Sequence, residues 1–364
     1  MRVFPGIEDK FFRLLQISVG KTAGKVVLLS EKDWDLIHQM AIEQSMLGVV
    51  LKAVDSTAND GQKPPTTLLF QWIGEVEIIR QQSQRKNQQC EQLTAWFRNH
   101  GYKSCILKGQ GVARLYDEPD LRQSGDIDIW VDAPRDVVVN KMRSNFFRVT
   151  CVDYVNCHVE FFNDTDVEVH FRPTYMFNPF TNRKVQKWMR ENKDAQMSHI
   201  DKSLGFSYPT IGFNLVFSLI HIYRHVFLEG IGLRQLMDYY SILSHSNVKE
   251  RNEAMTTLQS FGLNKFVGSV MFVLQKVFGM DSSFLLCEVN TGDGSFLLSE
   301  ILQGGNFGKF DDRNRYVSNE QKVKKTVVNI KRNMRFLKHY PSEVVWMPFF
   351  KIWHWCWRKW KGYL

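Results

Sequence analysis

Two aspartates stand two residues apart in Gly125-Asp126-Ile127-Asp128-Ile129. Alternating acidic and apolar residues read as a strand, and strand residues two apart share a face, about 6.6 Å from each other at ~3.3 Å rise per residue. Asp126 and Asp128 then project side by side, while Ile127 and Ile129 turn toward a core. Carboxylates this close repel each other, and a metal ion removes that penalty. Oxygen ligands favour Mg²⁺ or Mn²⁺, which takes one or two carboxylates together with substrate phosphates. The plainer reading is that the two aspartates are the solvated face of an edge strand.

Context weighs against the plainer reading. Val167-Glu168-Val169-His170 repeats the alternation, with Glu168 and His170 on one face. If that strand lies beside the first, three carboxylates converge, and Asp126, Asp128 and Glu168 become both the metal ligands and the catalytic acids. Two ions about 3.5–4 Å apart could then clamp the attacking and leaving oxygens of an in-line displacement. Glu160, on the preceding strand, is the rival third acid. Upstream, Lys108-Gly109 sits at a strand end, where a turn and an ammonium could meet a phosphate. Arg122, Ser124 and Gly125 lead directly into the acidic strand. Downstream, His221 and His225 lie four apart and share a helix face, with Arg234 and Asp238 close behind. No third ligand of the H-E-x-x-H kind accompanies the histidines, so they read as polar packing or as groups facing a nucleotide.

These residues need a sheet to hold them, and the sequence predicts one in the middle of the chain. KSCILKG reads as a strand running into a glycine turn, GVARLY as a helix start, DEPDLRQSG as a loop and DIDIWVD as a strand. Pro134 opens a helix over 134–146. CHVEFF and VEVHF follow as a hairpin around Asn163-Asp164-Thr165. Helices are predicted on either side: 7–18, 31–53 and 68–99 before the sheet, with a breaker at 58–67 and Gly101 as a stop. After it come 211–228, 233–244, 252–278, 294–303, 319–339 and 343–361.

The stretch ILKGQGVARLYDEPDLRQSGDIDIWVD resembles the signature of the DNA-polymerase-beta-like nucleotidyltransferase superfamily. More closely, it resembles the branch called the uncharacterised nucleotidyltransferase family. LKG, an arginine-led loop, the D-I-D strand, VEVHFRP and HIYRHVFLEGIGLRQLMD occur in the order that branch shows. The turn departs from the superfamily habit, since Gln110 follows Gly109 where Ser or Gly is usual. The resemblance implies an α+β fold: a small mixed β-sheet nucleotidyltransferase core at 101–180, flanked by helical regions at 1–100 and 181–364. It implies Asp126, Asp128 and Glu168 as metal ligands for Mg²⁺ or Mn²⁺. It also implies that Lys108, Gly109, Arg122, Ser124 and Gly125 border the triphosphate of an NTP substrate. His170, His221, His225 and Arg234 are accessory candidates. The acceptor is left open among small molecules, proteins and RNA, and so is a non-catalytic binding role on the same fold.

Of the 364 residues, 44% are hydrophobic and 23% charged, enough for an ordinary core and unlike a disordered chain. A formal net charge of +9 favours anionic partners without choosing among them. The six cysteines are scattered with no C-x-x-C pair, which argues against a zinc ribbon and for reduced thiols in a cytoplasmic protein. No run of 18 apolar residues suggests a transmembrane helix, and the N-terminus lacks a signal-peptide pattern. The C-terminus, PSEVVWMPFFKIWHWCWRKWKGYL, places five of the ten tryptophans among lysines and arginines. Trp353, Trp357 and Trp360 share a helix face, with Trp346 and Phe350 leading into it. Three uses fit: docking on the protein, peripheral contact with an anionic membrane, or stacking on single-stranded nucleic acid.

Overall fold

The computed structural model describes residues 6–21, 28–57, 62–311, 313 and 330–363. Four helices lead: α1 (Ile7–Ser18), α2 (Glu31–Glu43), α3 (Leu47–Thr57) and α4 (Thr66–Asn99). Ser30 opens α2 with a capping box, its side chain accepting from the Asp33 N–H while Asp33 accepts from Ser30. The single helix expected over 31–53 is two, broken where Ser45 takes φ 56°. The breaker expected at 58–67 lies partly outside the described residues.

The centre is a five-stranded sheet. β1 (Ser104–Leu107) turns into the short α5 (Gly109–Ala113); β2 (Ile127–Val131) is followed by α6 (Arg135–Ser144), β3 (Arg148–Val152), β4 (Asn156–Glu160) and β5 (Val167–His170). The order is β1-β2-β5-β4-β3. Only β2 and β5 run parallel; the other pairs are antiparallel, so the sheet is mixed. The expected hairpin is β4–β5. β3 was not anticipated: it is an edge strand, exposed at Arg148 and Thr150, and its sequence lacks an apolar run.

Beyond the sheet come α7 (Pro179–Ser198), a two-residue hairpin β6 (Ile200–Asp201) and β7 (Phe206–Ser207), then α8 (Ile211–Leu228), α9 (Leu233–Ser244), α10 (Val248–Ser260), α11 (Asn264–Phe278), α12 (Thr291–Gly304) and α13 (Pro341–Trp360). The helix expected over 252–278 is the end of α10 plus α11, split where Gly262 takes φ +74°. Of the helix expected over 319–339, residues 330–334 are helical and 319–329 lie outside the described residues.

Two apolar clusters sandwich the sheet. Ile127, Ile129, Val167 and Val169 pack on Leu93 and Phe97 of α4 and on Val139 of α6. The larger cluster joins both ends of the chain: Phe11, Trp34 and Trp72 from the first helices meet Phe217, Phe278 and Phe336 from the last. α8 runs through it. This helix is long and apolar enough to cross a membrane, but 78% of it is buried inside the fold, as in the central helix of a packed bundle. It carries a polar stripe, Asn214, Ser218 and His221, and that stripe passes the sheet's acidic face.

Candidate active site

In the parallel pair β2–β5, Asp128 lies opposite Glu168 and Trp130 opposite His170. Because strand side chains alternate, Asp128, Glu168 and His170 emerge together on the face turned away from Ile127 and Ile129. One ligand atom from each of the three lies within 4.8 Å of the others. His170 Nε2 is 2.8 Å from Asp128 Oδ1 and 3.3 Å from Glu168 Oε2. Its Nδ1 lies 3.1 Å from the carbonyl of Arg172 and can donate to it. A ring that donates from both nitrogens is an imidazolium. Burial opposes that charge, but the two carboxylates outweigh it and push His170 up to about 8.

Lys108 completes the cluster from the end of β1, with Nζ 2.9 Å from Asp128 Oδ2 and 3.2 Å from His221 Nε2. Burial works against a charge on Asp128, yet Lys108 and His170 prevail and hold its carboxyl well below the usual range. Burial likewise opposes the charge on Glu168, but the His170 hydrogen bond favours it and holds the carboxyl below its ordinary range. Asn156 also donates to Glu168. Asp126 is different: it stands exposed at the cleft mouth, and the charge of Asp128 is the main force pushing it up to about 6. Glu160, the rival acid, is exposed and pairs with Arg148 at 3.2 Å.

The backbone that presents Lys108 is strained. Lys108 takes φ 50° and ψ −140°, and Gly109 follows at φ +38°. A side chain in this region costs about 1–3 kcal/mol and persists where surrounding contacts enforce it. Gln110 turns away from the cleft and binds α4 through the Ser83 carbonyl and Asn87.

Arg122 is buried and forms a two-pronged ion pair with Asp238 of α9, at 2.7 and 2.8 Å. Tyr116 donates to the same carboxylate at 2.7 Å. Four residues earlier on α9, Arg234 donates to the Gln123 carbonyl at 2.8 Å. α9 therefore clamps the loop that feeds β2. Three buried polar atoms of that loop, Nη1 of Arg122, Oε1 of Gln123 and Oγ of Ser124, lack a hydrogen-bond partner among the described residues. A side chain at Gly125 would come within 3.7 Å of Arg234. The rings of His221 and His225 lie 4.2 Å apart, tilted by 58°, and burial, aided by nearby cations, drives both well below the ordinary histidine range. That favours the neutral ring at both positions. Lys108, Gly109, Arg122, Asp126, Asp128 and Arg234 border one cleft, with Phe307 opposite.

A family model described as uncharacterised nucleotidyltransferase matches residues 30–279. The chain belongs to that family. No curated protein matches it. The match takes in the whole acidic cluster, Lys108 and the α9 clamp, while α12 and α13 lie beyond it.

The donor set of this family member fits a hard divalent cation. Asp128 supplies buried oxygens and Glu168 half-buried ones, and the repulsion that raises Asp126 is the kind a cation relieves. His170, as an imidazolium between the two carboxylates, holds their oxygens in place and offers no lone pair to an ion. By its spacing alone it is an accessory candidate; in the fold it bridges both acids. Asn156 and Arg224 were missed. Asn156 stands opposite His170 in the β4–β5 register, which no local pattern reveals. Arg224 follows His221 by three residues, a legible helical spacing, and is buried with Nε and Nη1 unpartnered among the described residues.

Proposed function

We propose that this family member moves a nucleoside monophosphate from an NTP to an acceptor hydroxyl, with Mg²⁺ or Mn²⁺ as cofactor. The observation that carries this reading is the β2–β5 register, which sets Asp128 against Glu168 on the face shared with Asp126. The acceptor oxygen attacks the α-phosphorus and a new P–O bond forms. The bond from the α-phosphorus to the α–β bridging oxygen breaks, and pyrophosphate leaves with that electron pair. The acceptor proton passes to Asp126, the carboxylate of the cluster whose hold on a proton is raised. Asp126, Asp128 and Glu168 would hold the cation, which when bound neutralises charge on the reacting phosphoryl group. Lys108 and Arg234 line the cleft and would supply cations to the β- and γ-phosphates, while Gly109 and Gly125 line it without side chains. Arg122 contributes chiefly by holding the loop through Asp238. The six cysteines, none of them paired with another, are in keeping with a cytoplasmic location. Peripheral membrane contact belongs to the same reading, since Trp355 and Trp360 of α13 are 54% and 80% exposed.

One observation favours a second reading. Lys108 and His170 already neutralise Asp128 and Glu168 from within the chain, as suits a nucleotide-binding module without catalysis. A labelling experiment separates the two. Purified protein and its Asp126→Asn variant are incubated with each α-³²P NTP, Mg²⁺ or Mn²⁺, and cell extract split into small-molecule, RNA and protein fractions. Transfer by the wild type alone supports the enzyme and identifies the acceptor class. Nucleotide binding by calorimetry with no transfer in any fraction supports the module.

A further inference from the structure

α13 has two unlike sides. One is docked: Phe350 stacks on Tyr175 at 4.8 Å, and Trp357 lies under the Arg135 guanidinium at 4.3 Å. The other carries Val345, Phe349, Ile352 and Trp360, exposed by 50, 62, 64 and 80%. Their spacings of four, three and eight residues keep them on one helical stripe. Aliphatic and aromatic side chains this exposed, and this contiguous, mark a surface that meets something apolar.

Beside this stripe a groove of about 510 Å³, open to solvent, separates α13 from α7. Trp346, Phe349 and Trp353 form its α13 wall. Its charged lining residues are Arg172, Arg183 and Arg190, with no carboxylate. No ion pair joins any of these arginines to an acid among the described residues. Arg183 and Arg190, seven residues apart on α7, share a helical face and are exposed. Arg172 is held by the Tyr154 carbonyl and ring, which leaves Arg183 and Arg190 as the exposed cations on the rim. An apolar slot rimmed by guanidinium groups without acidic partners among the described residues complements a molecule with an apolar body and an anionic head.

We propose that the α7–α13 groove binds an anionic phospholipid of a bilayer. Its phosphate sits at Arg183 and Arg190, its chain lies along the aromatic wall, and the exposed stripe of α13 rests in the interface. This rests on the peripheral membrane contact inferred above and adds a site and a lipid class to it. A bilayer is favoured over single-stranded nucleic acid because the stripe includes Val345 and Ile352, which offer no ring to stack on a base.

The test uses the full-length protein with sedimenting vesicles of phosphatidylcholine, alone or mixed with phosphatidylglycerol. The wild type is expected to bind the mixed vesicles at least about tenfold better, because each basic residue at such a surface contributes appreciably. Arg183→Glu/Arg190→Glu abolishes that preference, and Phe349→Ser/Ile352→Ser weakens binding to both vesicle types. All four positions are exposed, so melting curves report whether the fold is kept. Equal binding to both vesicle types by wild type and charge-reversal variant overturns the lipid site while leaving the membrane contact. No vesicle binding overturns both. Single-stranded RNA that displaces the protein from vesicles, and whose binding Phe349→Ser/Ile352→Ser removes, replaces the bilayer with nucleic acid. Vesicle binding unchanged in Asp126→Asn separates the result from the transfer reaction.

Discussion

Asp128 and Glu343 are both buried carboxylates, 4% and 2% exposed, and the fold treats them in opposite ways. Asp128 meets Lys108 at 2.9 Å and His170 at 2.8 Å, and its carboxyl is held well below the usual range. Glu343, at the start of α13, accepts only two backbone N–H bonds, from Phe177 at 2.7 Å and Asn178 at 3.1 Å. Burial pushes it up to about 7. Equal burial thus gives a permanent anion in one place and a protonatable latch in the other. The partners decide, because desolvation penalises the charged form in both, and only a cation or charged donor overcomes it. The acidic cluster is built to keep charge; the α13 anchor is not.

The sharpest way to break this contrast is to remove the anion. Asp128→Ala leaves the Lys108 and His170 charges facing each other, and should cost about 3–5 kcal/mol, read from denaturant unfolding. Glu343→Ala removes a group that carries much less charge near neutrality, and should cost distinctly less at pH 7. Similar losses at both sites would undo the comparison.

Next in size is the effect on chemistry. Asp126 is exposed, so Asp126→Asn should leave stability within about 0.5 kcal/mol. Nucleotidyl transfer should still fall by about 100–1000-fold, as when a charge-stabilising group is lost from a reacting centre. An unchanged rate would remove Asp126 from the site.

The pH dependence carries opposite signs at the two carboxylates. Glu343 titrates near 7 folded and near 4.5 unfolded, so the folded state binds more protons between those values. Stability then falls as pH rises from 4.5 to 7, by up to about 3 kcal/mol. Limited proteolysis within α13 should quicken over that range, and Glu343→Gln should flatten it. For Asp128 the folded value is depressed below 3.8, so its contribution is present above that pH and is lost on acidification. A C-terminal helix equally protected at pH 5 and pH 8 would contradict the latch.

The smallest effect is the response to metal. Saturating Mg²⁺ or Mn²⁺ at roughly 100 times its dissociation constant should stabilise the protein by about 2.7 kcal/mol, seen as a rise in Tm. Asp126→Asn should blunt that rise, whereas Glu343→Gln should not alter it.

Much of the acidic site was legible in the chain. Alternation alone set Asp126 and Asp128 on one face and Glu168 with His170 on another, and the strands fall where those patterns lie. The helical spacing of His221 and His225 likewise survives as a pair of neighbouring rings. What failed locally was punctuation: Ser45 and Gly262 break helices that read as continuous, and β3 is an edge strand with no apolar pattern. Side-chain assignments near the site were less legible. Arg122 looks like a phosphate ligand by position, but its partner Asp238 lies 116 residues away.

The sequence by itself determined most of the central strands and helices, the face their side chains take, and the family, because strand and helix periods are local properties of the backbone. Only the tertiary structure decided that β5 lies parallel to β2, that His170 bridges two carboxylates, and that helices from both ends share one core. Those outcomes depend on long-range pairing and on which charges are desolvated together, and neither is written into any single stretch of the chain.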